Sequence, residues 1–499
     1  MAVQNRKKLF AENFLVYGVG GIISKLIPLI MVPIITRMMP DSSYYGISDL
    51  SNTVISLFSA IAVLGMYDAM YRMFFEKDDE EYKKDICSSA FVFTLLLSVV
   101  VAVLMLVFQK PISQLFFSSP TYGTIVMICA ISVLVGSTNS IISAPTRMQN
   151  KRGVFLIMNT VSPILSYSIS IPLLLNGYYL IALPIATACS SVTSEAIFAI
   201  LNHKWFSFRR VKWKYIGQML KIALPLTPNF IIYWIFNSSD RVMISNLLTT
   251  TDNGIYAVAA KFGQISNLIY TAFAGGWQYF AFSIMKDKDN TKVISKIFEV
   301  LLIVSLVTTM LGTSICKWGI QILFGEEYWS AYICIPYLYL APLLLMLFQI
   351  GSNQFLVIKK TWPNMLILSL GAVLNIVLNF ALIPTIGIEG ASIATFVGYF
   401  SSIVLMIIVL ERYKLIHVRI KTIAYSFLFL VCFGIMRIFK IALWYVNIPV
   451  MLAFMGITVA FYWKDYGKKL FVRFSKKKQK NDMVVSSSTE NQKENNEQK

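Results

Sequence analysis

Residues 14–38 read FLVYGVGGIISKLIPLIMVPIITRM, a run long and apolar enough to cross a bilayer yet carrying a lysine, Lys25, near its middle. A hydrocarbon core about 30 Å thick is crossed by a helix of about 20 mostly apolar residues. A lysine at the centre of such a helix costs about 2.5–3.5 kcal/mol on insertion scales, so something polar is expected beside it. The run is too long for a signal-peptide core and has no small-residue cleavage site after it, which makes it a retained first span. Gly18, Gly20 and Gly21 follow no strand and lack the lysine of a phosphate-binding loop, so they speak for close helix approach and not for a nucleotide site.

The rest of the 499-residue chain repeats this character. Hydrophobic residues make up 57% and charged residues 14%, and the mean hydropathy is +0.65, beyond the range of soluble globular domains. The fold class expected is all-α and membrane-integral, with about fourteen transmembrane helices set off by charge clusters and by Pro, Gly and Asn. With the N-terminus placed in the cytoplasm, the Lys and Arg residues on the outer side are Arg37, Lys110, Arg241, Lys317, Arg437 and Lys440, and the other loops and the tail hold the great majority. The positive-inside rule then puts both termini in the cytoplasm. The net charge of +19 is thus a membrane-orientation signal and not a nucleic-acid one. The basic, aromatic loop HKWFSFRRVKWKY at 203–215 reads as a juxtamembrane segment on anionic headgroups. Six isolated cysteines and two histidines indicate no disulfide frame, metal site, cofactor or His-based catalytic centre.

An internal repeat organises the chain. At one gapless offset of 208 residues Gly46 falls on Gly254, Lys84 on Lys292, Leu115-Phe116 on Leu323-Phe324, Lys151-Arg152 on Lys359-Lys360 and Ile185-Ala186-Thr187 on Ile393-Ala394-Thr395. Recurring loop landmarks are harder to obtain by chance than recurring leucines. Six spans per copy return the chain to its starting side, so the copies are parallel bundles that face each other across a cleft. The expected domains are an N-terminal six-helix bundle at 1–210, a second at 211–415, two further helices at 416–465 and a basic, disordered cytoplasmic tail at 466–499.

Ionisable side chains inside spans are the functional candidates: Lys25, Arg72, Asp68, Asp240, Arg241 and Lys261. Asp68 and Arg72 are four apart and share a helix face on which they can pair. Asp240 and Arg241 close the seventh span on the outer side, and Lys261 lies about two turns into the eighth. Cations converging on a cavity with few opposing acids favour an anionic ligand, phosphate above all. Prolines 28 and 33 in the first span and 225 and 228 in the seventh mark helices that bend around a cavity. Asp68, Glu195 and Asp240 are the acids available for ion coupling.

SKLIPLIMVPIITRMMP at 24–40 with YYGISDL at 44–50, and SSDRVMISNLL at 238–248 followed by NGIYAVAAKFGQI at 253–265, resemble the polysaccharide-transporter (Wzx-type flippase) branch of the multidrug/oligosaccharidyl-lipid/polysaccharide exporter superfamily. The resemblance covers about residues 10–465. It implies an inverted-V, MATE-like arrangement of two six-helix bundles with two C-terminal helices in the bacterial cytoplasmic membrane. It also implies transfer of undecaprenyl-diphosphate-linked oligosaccharide to the outer leaflet by alternating access, without catalysis. Membrane lipids, a polysaccharide polymerase and glycosyltransferases are the implied partners. The six ionisable residues named above are the positions expected to meet the cargo. Lysine in the first span and a single arginine in the second argue against a peptidoglycan precursor. The alternatives are an ion-coupled multidrug exporter of the same superfamily, which would carry carboxylates in its cavity, and a membrane glycosyltransferase or polymerase, for which no outer loop is long enough.

Overall fold

The computed structural model describes residues 22–149, 151–284, 289–358, 360, 362–438, 444–463 and 465. Expectations for Gly18, Gly20 and Gly21, for Lys359 and Lys440, and for the tail beyond 465 fall outside them.

Among the described residues the regular structure is helical. The first half holds α1 (22–38), α2 (Ser42–Val63), α3 (Met66–Phe74), α4 (Glu80–Val107), α5 (Gln109–Phe117), α6 (Gly123–Ile142), α7 (Ala144–Met148), α8 (Arg152–Leu175) and α9 (Ala182–Asn202). The second half runs through α10 (Trp213–Ala223), α11 (Thr227–Trp234), α12 (Asp240–Leu247), α13 (Thr250–Gly263), α14 (Asn267–Ser283), α15 (Asn290–Leu323), α16 (Ile335–Val357), α17 (Trp362–Ile386) and α18 (Ile388–Arg412). Helices α19 (Ile420–Ile438) and α20 (Trp444–Tyr462) follow. Twelve helical stretches among the described residues are long and apolar enough to span a membrane. The first and eighth expected spans are not among them: the first begins in residues outside the description, and the eighth is split into α13 and α14 by a 3₁₀ turn at Gln264–Ser266.

The described residues fall into two compact units, one within 1–301 and 315–418, the other within 302–314 and 419–499. In the second, the Tyr425 and Thr458 hydroxyls lie 2.8 Å apart and join α19 to α20.

Within the first unit one neighbour scheme occurs twice. In the first half α2 packs on α6, α6 on α9 and α8 on α9; in the second α13 packs on α16, α16 on α18 and α17 on α18. These are equivalent elements at the 208-residue offset, and so are their start signals. Asp41 caps α2 by accepting the amide of Ser43, and Thr249 caps α13 by accepting that of Asp252. The two helices then pack on each other. Leu50, Val54, Met105, Phe117, Val126 and Val133 fill the core beneath α2, whereas Val99, Val100, Val103, Leu104 and Val107 of α4 stand exposed. An apolar outer surface of this kind belongs in lipid.

Two elements depart from the sequence reading. The expected second span breaks at Leu64 and Gly65, both with positive φ (49° and 71°), because Gly65 lies so close to α10 that a Cβ there would be 3.0 Å from the Ala223 carbonyl oxygen. The loop at 203–215 does not simply rest on headgroups. Its Ser207 and Lys212 amides donate to the Ser88 and Ser89 hydroxyls of α4 at 3.0 Å each, and Arg210 and Lys212 pair with Glu81 and Asp85. Phe208 and Trp213 remain exposed, free to meet an interface.

Candidate functional site

Lys25 lies on α1, three residues before Pro28, and its ammonium turns toward the second half of the chain. It donates to Asn267 Oδ1 (3.1 Å) and Thr271 Oγ1 (2.7 Å), one turn apart on α14. Both partners are neutral, so the ammonium is solvated by dipoles and its charge is not cancelled. Beside it is a cavity of about 220 Å³. Lys25, Pro28 and Leu29 line it from α1, and Lys261, Gln264 and Leu268 line it from the α13–α14 region. Two lysines from different halves, 236 positions apart in sequence, therefore share one small space in which no carboxylate among the described residues takes part. Among the described residues no hydrogen bond or ion pair holds Lys261. The arrangement attracts an anion: two ammonium groups, one preset by two hydrogen bonds, meet over apolar walls where charge is poorly screened.

Asp240 and Arg241 occupy a different environment. The preceding five residues, Ile235–Ser239, form a π-helical turn, which joins α11 to α12 and turns Arg241 inward. Its Nε donates to Asp49 Oδ2 on α2 at 2.6 Å, its Nη1 lies 3.4 Å from Asp240 Oδ1, and Nη1 also donates to the Asn237 carbonyl. Tyr256 of α13 donates its hydroxyl to Asp240 Oδ2. Asp49, Asp240 and Arg241 are 7%, 3% and 9% exposed, and such burial is sustained only by this mutual pairing. Lys261, which lines the cavity, lies within electrostatic range of both Asp49 and Arg241 of the network. Asp49 escaped the sequence reading. Its signal was an acid two residues inside the second predicted span, but the repeat offset sets it against Ala257, so the duplication gave no warning of it.

Arg72 and Asp68 are not brought into this group. The break at Gly65 reorients the chain into α3, which packs its buried face on α4 and α10 and leaves both residues exposed. Neither lines the lysine cavity, and among the described residues no ion pair joins them. Glu195 of α9 accepts a hydrogen bond from Thr138 Oγ1 at 2.6 Å. Trp234 of α11 donates to the Thr53 carbonyl (3.3 Å) and the Ser56 hydroxyl (3.1 Å) of α2, pinning the seventh span just before the π turn.

The apolar helices define a multi-pass membrane protein in which one helix-packing scheme occurs twice. The lipid II flippase MurJ in an inward closed conformation superposes with a TM-score of 0.70 at 15% identity, over 90% of this chain and 99% of that one. An inward-facing multidrug resistance MATE family transporter gives 0.59 at 12% identity, over 79% and 98%. A MOP superfamily transporter from Pyrococcus furiosus, whose binding pocket of reverse polarity suggests a different function for it, gives 0.55 at 13% identity, over 81% and 95%. An uncharacterized membrane protein of Methanocaldococcus jannaschii is 27% identical over 220 residues, and that match spans 41% of this chain and less than half (43%) of the relative. The family model described as polysaccharide biosynthesis protein matches residues 34–334. The chain belongs to that polysaccharide biosynthesis family.

Proposed function

We propose that this protein is a flippase of the bacterial cytoplasmic membrane that carries an undecaprenyl-diphosphate-linked oligosaccharide from the inner to the outer leaflet by alternating access. The observation that carries the proposal is the cavity in which Lys25 and Lys261 meet with no carboxylate among the described residues that line it. A diphosphate is the part of such a cargo that needs cations, and two ammonium groups from opposite halves hold it where a movement of one half against the other changes its access. The glycan would lie in the hydrated region beside it and the polyprenyl chain in lipid. Family membership in polysaccharide biosynthesis supports the cargo class. The two halves, 1–210 and 211–415, serve in this proposal as the moving bundles, with residues 416–465 as accessory helices and both termini cytoplasmic. An exporter of cationic drugs would need carboxylates in the same lining.

The test is surface glycan in cells that depend on this chain, normalised to its abundance in the membrane. Lys25→Ala and Lys261→Ala are expected to abolish export at normal abundance and Lys25→Arg to retain it, while Lys25→Gln, which keeps hydrogen bonding but not charge, fails. Normal glycan in Lys25→Ala removes the lysine cavity from the mechanism.

A further inference from the structure

A second cavity, of about 300 Å³, opens within the first half among the ends of α6, α8 and α9 and the short α7. It adjoins the first, since Ser24 lines both, but its chemistry differs. Among the described residues, seven of the twelve that line it carry a hydroxyl or amide, none is a carboxylate, and Arg147 is the one charged residue. The Asn139 Oδ1 atom is buried and has no hydrogen-bond partner among the described residues. The Ser162 and Ser194 hydroxyls, 2.9 Å apart, cross-link α8 to α9, and Asn202 Nδ2 fixes Thr146 Oγ1 (2.8 Å) on the α7 side. The Arg147 guanidinium stacks on Phe155 with 4.7 Å from its carbon to the ring centroid. Among the described residues no carboxylate pairs with it.

We propose that this cavity is a sugar-binding subsite and that the sugar it takes carries a carboxylate, as a hexuronic acid does. A pocket of neutral donors and acceptors inside a membrane bundle costs free energy unless water or a ligand satisfies it, and the hydroxyls of a pyranose match that lining group for group. The volume lies at the lower end of small-molecule pockets, which suits a single ring and not an extended glycan. A guanidinium stacked on an aromatic face keeps its N–H edge for two parallel hydrogen bonds to a carboxylate. The shared Ser24 places such a ring next to the lysine pair, where the first sugar of a diphosphate-linked glycan would fall. That last relation rests on the flippase reading; the sugar subsite itself does not.

The full-length protein in lipid nanodiscs separates the two readings. Titrated with methyl glucuronide and followed by saturation-transfer NMR, it is expected to show saturable binding, with methyl glucoside about tenfold weaker. Arg147→Gln abolishes the preference, and Asn159→Ala or the milder Ser162→Ala weakens both glycosides; each variant is admitted only if it keeps the wild-type unfolding midpoint. Undecaprenyl diphosphate without sugar is expected to bind in a Lys25-dependent manner that Arg147→Gln leaves unchanged. Absence of glycoside binding, or equal binding of the two glycosides, overturns the acidic-sugar subsite. Loss of the lipid interaction alone overturns the diphosphate reading and leaves the subsite standing.

Discussion

Lys25 and Lys261 were legible as single residues because burial of charge in hydrocarbon is costly enough to demand an explanation wherever it occurs. What a linear chain cannot display is which charges share a space. Lys25 found Lys261 and two neutral partners on α14, whereas Arg241, which looked equally available, is held by Asp49. That buried pair makes a strong prediction. Asp49→Leu or Arg241→Met alone breaks the buried network and is expected to destabilise the fold by about 3–5 kcal/mol, while the double replacement Asp49→Leu/Arg241→Met, which leaves Asp240 with Tyr256 as its side-chain partner, loses clearly less than the sum of the two. Thermal unfolding of the purified variants in detergent checks it, and two additive single losses would refute a direct coupling.

Helices present a similar contrast. The start signals and the 208-residue spacing of α2 and α13 are plain in the sequence, but their mutual packing is not. Their equivalent glycines, Gly46 and Gly254, lie back to back: a Cβ on Gly46 would be 2.1 Å from the Thr250 carbonyl oxygen, and one on Gly254 2.0 Å from that of Ser42. Asn253 Nδ2 donates to the Gly46 carbonyl at 2.9 Å across the same crossing. With backbone and not a flexible side chain in the way, Gly46→Ala or Gly254→Ala should cost at least the about 1–3 kcal/mol typical of overpacking, read as lower membrane abundance and a lower unfolding midpoint. Gly136→Ala, which meets nothing within 4 Å, is the neutral control. The docked loop between α9 and α10 was missed because a run of Lys, Arg and Trp gives no hint that Glu81 and Asp85 await it on α4. Its hydrogen bond to Asp85 raises the Lys212 pKa above the ordinary lysine range. A raised basic pKa gives stabilisation that is complete below the unfolded value, about 10.4, and is lost as pH climbs through the folded one. Trypsin cleavage at Arg209 and Arg210 should accordingly stay slow from pH 7 to 9 and become fast at every pH in Asp85→Asn.

For the whole molecule, the 208-residue repeat was the legible part, since the packing scheme of α2, α6, α8 and α9 recurs in α13, α16, α17 and α18; the parallel arrangement of the copies is an expectation from six spans in each. The consequence for mechanism lies where the two halves touch. At the end that the charge bias places outside, the Ser118 hydroxyl after α5 donates to the Ser245 carbonyl of α12 (2.7 Å), Asn246 Nδ2 donates to the Leu115 carbonyl (2.7 Å) and Arg37 Nη2 to the Ile322 carbonyl (2.8 Å). Together with the Gly46–Gly254 crossing and the Asp49–Arg241 pair, these join the halves at that end, and the proposed alternating access requires them to part. The Ser118 and Ser245 hydroxyl oxygens are 3.5 Å apart, which suits a disulfide between cysteines at the same two positions. Ser118→Cys/Ser245→Cys is therefore expected to lose glycan export under oxidising conditions and regain it on reduction, with each single variant active throughout. Full export by the oxidised, cross-linked protein would show that transport proceeds with this end closed and would refute rocking of the two halves as its mechanism.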